Sequence, residues 1–179
     1  MHILAFAATM HSQSINKQLV SYAARQIDFG TTEIVDLNDY ELPLFTQDRQ
    51  RAMGEPELAK AFLAKIAAAD ALLISFAEHN GSYTAAFKSL FDWCSRIENK
   101  VYQDKPMVVL ATSPGNRGGK GVLDTVKNSA PFFGGDVRAS VSVPRFHENF
   151  DTEAGELRDD ALREALRKAL GTLRAADPA

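Results

Sequence analysis

Apolar residues fall along the chain in two alternating patterns: short unbroken runs, and stripes that recur every three or four residues. Ile3-Leu4-Ala5-Phe6-Ala7-Ala8 is continuously apolar, as a strand buried on both faces of a parallel sheet must be. Polar residues follow to Gln13, and Ser14 then stands as N-cap to a helix with Ile15, Leu19, Tyr22, Ala23 and Ile27 on one stripe. Thr31 to Asp36 reads as a second strand. Residues 37–55, with Pro43 and Gly54, form a long connection before Pro56 opens a helix to about Ala69. Ala71 to Phe76 is a third strand and Ala77 to Tyr83 its exit loop. The next helix, roughly Thr84 to Ile97, carries Phe87, Leu90, Phe91, Cys94 and Ile97 on its core stripe. Trp93 and Ala86 fall off that stripe, which suits either a partner surface or an overlying loop of the same chain. Met107 to Thr112 is a fourth strand, ending in the glycine-rich stretch 113–119. A helical stretch to about Phe132, a fifth strand from Asp136 to Val143 and a charged terminal helix near Arg158–Leu173 complete the pattern. Five strands alternating with helices predict a doubly wound α/β sandwich, with helices on both faces of a parallel sheet, as one domain over residues 1–179.

Composition narrows the functions open to such a domain. The 179 residues hold 20 Lys and Arg against 23 Asp and Glu, a net charge of −3. There is no basic block, which argues against nucleic acid as a partner. No run approaches the roughly 18 apolar residues of a spanning helix, and the start lacks the pattern of a secretory leader. A soluble cytoplasmic protein without a membrane partner is therefore expected. The single cysteine and four histidines show no metal-ligand spacing, so no metal site is expected.

Ligands of doubly wound sheets bind beyond the carboxyl ends of the strands at the switch point, and three polar loops lie there. The first runs from Ala8 to Asn16, where Thr9, Ser12, Ser14, Asn16 and a protonated His11 suit a phosphate at a helix N-terminus. Ordinary capping by Ser12 or Ser14 is the alternative. The second contains Glu78, His79, Asn80, Gly81 and Ser82; Asn80-Gly81 is a turn pair, and the polar side chains can meet a planar heterocycle. The third, Ser113-Pro114-Gly115-Asn116-Arg117-Gly118-Gly119, lets backbone approach a ligand closely, or is a plain surface turn. It is not a P-loop: Pro114 and Gly121 occupy positions that motif reserves for Gly and Ser or Thr. No catalytic acid, base or nucleophile stands out, Cys94 reads as a packing residue, and the chemistry is left to a cofactor.

Taken together the loops resemble those of the NADPH-dependent FMN reductase family. The family's first loop, G-S-x-R-x-x-S-x-N, falls on Ala8, Thr9, His11, Ser14 and Asn16. Its second, P-x-Y-N-x-S-x-P-x-x-L-K-N-x-x-D-W, is matched at Asn80, Ser82, Lys88, Asp92 and Trp93, with Ala77, His79, Thr84, Phe87 and Ser89 departing. Its third, S-P-G-G-x-G-G, is matched at Ser113, Pro114, Gly115, Gly118 and Gly119. The resemblance covers roughly residues 1–145. It implies a flavodoxin-like five-stranded sheet of order 2-1-3-4-5, and an FMN-dependent NAD(P)H oxidoreductase with NADPH or NADH as donor and a quinone-like or other small acceptor, working by ping-pong. It also implies FMN phosphate held by Thr9, His11, Ser14 and Asn16, and an isoalloxazine ring lined by residues 78–82 and 113–117. A homodimer or homotetramer through the helix of Trp93 would follow. A flavin-binding electron carrier or redox-responsive protein without nicotinamide turnover, and a relative that no longer holds flavin, are the rival readings.

Overall fold

The computed structural model describes residues 1–174; residues 175–179 of the expected domain lie outside them. The chain begins with β1 (His2–Ala8), α1 (Ile15–Arg25) and β2 (Thr31–Val35), followed by α2 (Gln47–Met53), α3 (Glu57–Ala68) and β3 (Ala71–Phe76). A two-stranded hairpin, β4 (Glu78–His79) and β5 (Ser82–Tyr83), precedes α4 (Ala85–Cys94), β6 (Lys105–Thr112), α5 (Lys120–Ser129) and β7 (Gly135–Val143). Last come α6 (Phe146–Asn149), a small hairpin of β8 (Phe150–Asp151) and β9 (Glu156–Leu157), and α7 (Asp160–Gly171).

The main sheet has the order β2-β1-β3-β6-β7 with every pairing parallel. Numbering only its own strands, this is the expected order 2-1-3-4-5. The central strands are mostly apolar because both of their faces are covered. Leu4, Phe6, Leu72 and Ile74 point to the side packed by α3, α4 and α5. Ile3, Ala5, Leu73 and Leu110 point to the side packed by α1 and α7. The alternation along each strand thus divides one sheet between two cores. Among the described residues no helix is long and apolar enough to cross a membrane.

Two features depart from the pattern read in the sequence. The connection 37–55 is structured, holding a 3-10 turn at Leu37–Tyr40 and α2, whose cap Thr46 accepts from the Arg49 amide. Because α2 buries no residue, it has no apolar stripe to announce it. The second departure concerns Trp93. It is 1% exposed, its indole Nε1 donates to Pro43 O at 2.8 Å, and Phe45 packs edge-on against it with ring centroids 5.1 Å apart. The Ser89 hydroxyl accepts from the Phe45 amide. Residues 43–45 therefore form a strap over α4, and the off-stripe aromatic that suggested a partner surface is buried by the chain's own loop.

Candidate functional site

The exits of β1, β3 and β6 meet at the carboxyl edge of the sheet, and one side chain ties all three. Asn16, on the first turn of α1, is 3% exposed. Its amide oxygen accepts from the Ser75 hydroxyl at 2.8 Å and from the Thr112 amide at 3.1 Å, while its amide nitrogen donates to Thr112 O at 3.2 Å. A buried carboxamide satisfied in this way serves as a cross-link. Asn16, expected at the phosphate, thus has a structural use for its side chain, and one of its two Nδ2 protons has no acceptor among the described residues. A second tie runs from Thr84, the N-cap of α4, whose hydroxyl donates to Ala8 O and accepts from the Phe87 amide.

Above this floor the first loop is tightly self-bonded. The Thr9 hydroxyl accepts from the His11 amide, Ser14 caps α1 by accepting from the Asn16 amide, and the Ser14 amide donates to His11 O. Amide groups of Met10, Ser12 and Ile15 have no acceptor among the described residues, and neither do the hydroxyl protons of Thr9, Ser12 and Ser14. Residues 9–16 contain no carboxylate. This set of hydroxyl and amide donors at a helix N-terminus fits a phosphate monoester such as that of FMN. His11 is exposed, and its Nδ1 accepts from the Gln13 amide at 3.0 Å.

The second loop is the β4–β5 hairpin, with Asn80 (φ 52°) and Gly81 (φ 82°) at its tip. Two successive positive φ values make the tight turn that Asn-Gly favours. His79, Asn80, Gly81 and Ser82 are all exposed there. Glu78 is not: its carboxylate accepts from the Val122 amide at 2.8 Å, capping the first turn of α5. Glu78, expected beside the ring, thus spends one carboxylate oxygen on anchoring the hairpin to α5. Tyr83 anchors its other end, with its phenol 2.9 Å from the Ser129 hydroxyl; burial pushes the phenol pKa up, against the smaller lowering effect of that bond.

The third loop runs from Ser113 to Gly119 beside the hairpin. Pro114, Gly115, Asn116 and Arg117 are exposed, while Gly118 and Gly119 are buried. Gly118 (φ +56°) has Pro144 N at 2.7 Å from where a Cβ would stand, and the Ser142 hydroxyl closer still. Gly115 has nothing within 4 Å of that position. The loop is clamped from behind: Phe146 N donates to Ser113 O, Arg145 N to Gly115 O, and the Ser142 hydroxyl to Gly118 O. Arg145 makes its contact from the left-handed region, φ 45°, an uncommon conformation for an arginine.

The geometry thus gathers Thr9, His11, Ser14, His79, Asn80, Gly81, Ser82 and Ser113 to Arg117 along one edge, and turns Asn16 and Glu78 inward. Sequence reasoning missed Ser75, Thr84, Thr112 and the segment 142–146. Ser75 and Thr112 were readable as lone polar residues in apolar strands, and Thr84 as a cap. The clamp depends on backbone bonds that no side-chain pattern marks. Among the described residues no three His, Cys, Asp or Glu side chains are grouped to hold a metal.

Residues 1–148 match the profile of the NADPH-dependent FMN reductases. The chain is 28% identical over 176 residues to an NAD(P)H-dependent FMN reductase of Pseudomonas aeruginosa, covering 96% of this chain and 92% of the relative. It is 32% identical over 150 residues to an NADPH:quinone oxidoreductase of Arabidopsis thaliana, covering 80% and 72% respectively. Among solved structures, the flavoenzyme NAD(P)H:(acceptor) oxidoreductase of Paracoccus denitrificans superposes with a TM-score of 0.76 at 22% identity, covering 96% of this chain and 94% of the other, a likeness of fold.

Proposed function

The chain belongs to the NADPH-dependent FMN reductase family and is a flavin-dependent NAD(P)H oxidoreductase; from that premise we propose that donor and a quinone-like acceptor visit its site in turn, by ping-pong. When bound, FMN supplies the acceptance of hydride from reduced nicotinamide and its delivery to the acceptor. The protein's part is to bind, orient and shield. The Thr9, Ser12 and Ser14 hydroxyls, with the amides of Met10, Ser12 and Ile15, hold the phosphate, and Nε2 of His11 adds a donor at the loop's outer side. Residues 79–82 and 113–117 line the ring. The exposed, side-chain-free surface at Gly115 leaves room for a flat reactant to stack.

No side chain of this edge is assigned a proton to move. Glu78, the carboxylate in the second loop, is already committed to the Val122 amide. The observation that supports the reading best is the joining of a carboxylate-free donor loop to an open glycine-rich loop through one buried amide. Copies of the chain associate, on this reading, through the groove of about 220 Å³ beside Met10, Ala86 and Leu90, where Leu44 is 62% exposed. Purified protein loaded with FMN and desalted should be yellow and should oxidise NADPH or NADH with a quinone, giving parallel double-reciprocal lines. Intersecting lines would remove the ping-pong scheme, and a colourless protein the flavin site.

A further inference from the structure

A groove of about 650 Å³ opens beside the anion loop, between α1 and the segment 147–155. Ser12, Gln13 and Ser14 form its inner end, so it starts where the phosphate loop stops. It runs past Gln18 and Ser21 to Arg25, a span of about 16 Å along the helix at 1.5 Å per residue. No carboxylate lines it, although the chain is net acidic. Its cations differ in availability. Lys17 is held by Asp36 at 2.6 Å, whereas Arg25 is exposed, lines the groove and spends only Nη2 on a protein acceptor, Gly155 O, among the described residues. Ser14 is 7% exposed and its hydroxyl proton lacks an acceptor among the described residues. His147 forms part of the far wall, and Ile15 and Phe150 supply apolar surface on which a purine can lie. That wall continues directly from Arg145 and Phe146, which clamp the glycine-rich loop.

Resting on the flavin-dependent reading above, we propose that this groove is a binding site for the adenosine-phosphate half of a dinucleotide, with Arg25 as the ligand of its outer phosphate. The 2′-phosphorylated half of the nicotinamide donor, entering along the 147–155 wall, carries such an outer phosphate, whereas the adenylate phosphate of FAD is joined to that of its FMN half and would lie at the anion loop, far from Arg25. An arginine and a run of hydroxyls and amides suit a 2′-phosphate better than a bare ribose diol, for which a carboxylate is the usual partner, and this favours the donor over FAD.

The test titrates FMN-saturated protein with adenosine 2′,5′-bisphosphate by calorimetry. One site is expected, weakened about tenfold or more in Arg25→Ala, and blocked in Ser21→Phe, which fills the groove. A rise in KM for NADPH in these variants, with FMN and FAD affinities unchanged, assigns the site to the donor. A loss of FAD affinity with KM for NADPH unchanged would overturn the assignment. Equal bisphosphate affinity in parent and both variants, displacement of the bisphosphate by excess FMN, or variants that move neither KM nor FAD affinity would overturn the proposal. Failure of the parent to take up FMN overturns the functional reading instead, and the bisphosphate titration of flavin-free protein still decides the groove.

Discussion

The first and third loops of the site solve the same problem in opposite ways. Each must hold an irregular segment still at the end of a strand. The first does it with side chains: Thr9 and Ser14 accept from backbone amides, Asn16 bonds Ser75 and the Thr112 backbone, and Thr84 donates to Ala8 O. The third does it with backbone, through amides of Arg145 and Phe146 and two glycines in the left-handed region. A loop held by side chains fixes its donors but is exposed to single substitutions. A loop held by backbone leaves its own side chains, Asn116 and Arg117 among them, free to vary or to bind.

That contrast can be broken by substitution. Asn16→Ala should be the most damaging change, because it leaves the Ser75 hydroxyl and the Thr112 amide buried without partners; a loss of about 3–5 kcal/mol in urea unfolding is expected. A loss below about 1 kcal/mol would show that the three strand ends hold together without it. Gly118→Ala should cost about 2–4 kcal/mol through its positive φ and its clash with Pro144. Ser12→Ala lies on the exposed side of the first loop and should weaken FMN binding about tenfold while leaving stability within about 0.5 kcal/mol. Gly115→Ala sharpens the comparison within the third loop. It meets nothing, so stability should again hold within about 0.5 kcal/mol, while KM for the nicotinamide rises. Equal destabilisation by Gly115→Ala and Gly118→Ala would mean that the loop tolerates neither, and that its freedom to vary is illusory.

Cys94 provides the control, lying beneath neither loop. Burial alone pushes its thiol up to about 12, and it is 0% exposed. At pH 8 about one thiol in ten thousand would be ionised, so iodoacetamide should label the protein only after unfolding. Labelling of the folded state would show that α4 opens.

The sequence carried the sheet because its three central strands, β1, β3 and β6, are largely apolar runs, while the polar-interrupted edge strands β2 and β7 were legible from their place in the alternation with helices. It carried the candidate loops because strand exits are where such folds bind. It did not carry what Asn16 does, since its partners Ser75 and Thr112 are remote in the chain and adjacent only once β1, β3 and β6 are aligned. Glu78 was similarly ambiguous: a carboxylate beside a turn reads as a ligand until α5 arrives with an unsatisfied amide. The segment 37–55 was opaque for a simpler reason, α2 having no buried face. Trp93 offered two readings from sequence, and only the position of Pro43 separated them.

The strap over α4 has a practical use. Trp93 is the chain's single tryptophan, it lies in an apolar setting, and its indole N–H is bonded to the carbonyl of Pro43. Intrinsic emission excited near the red edge of protein absorbance therefore reports on one place, the seat of residues 43–45 on α4. If the strap lifts when a ligand enters or two copies meet, the emission should shift to longer wavelength as water reaches the ring, giving a label-free optical readout of that motion.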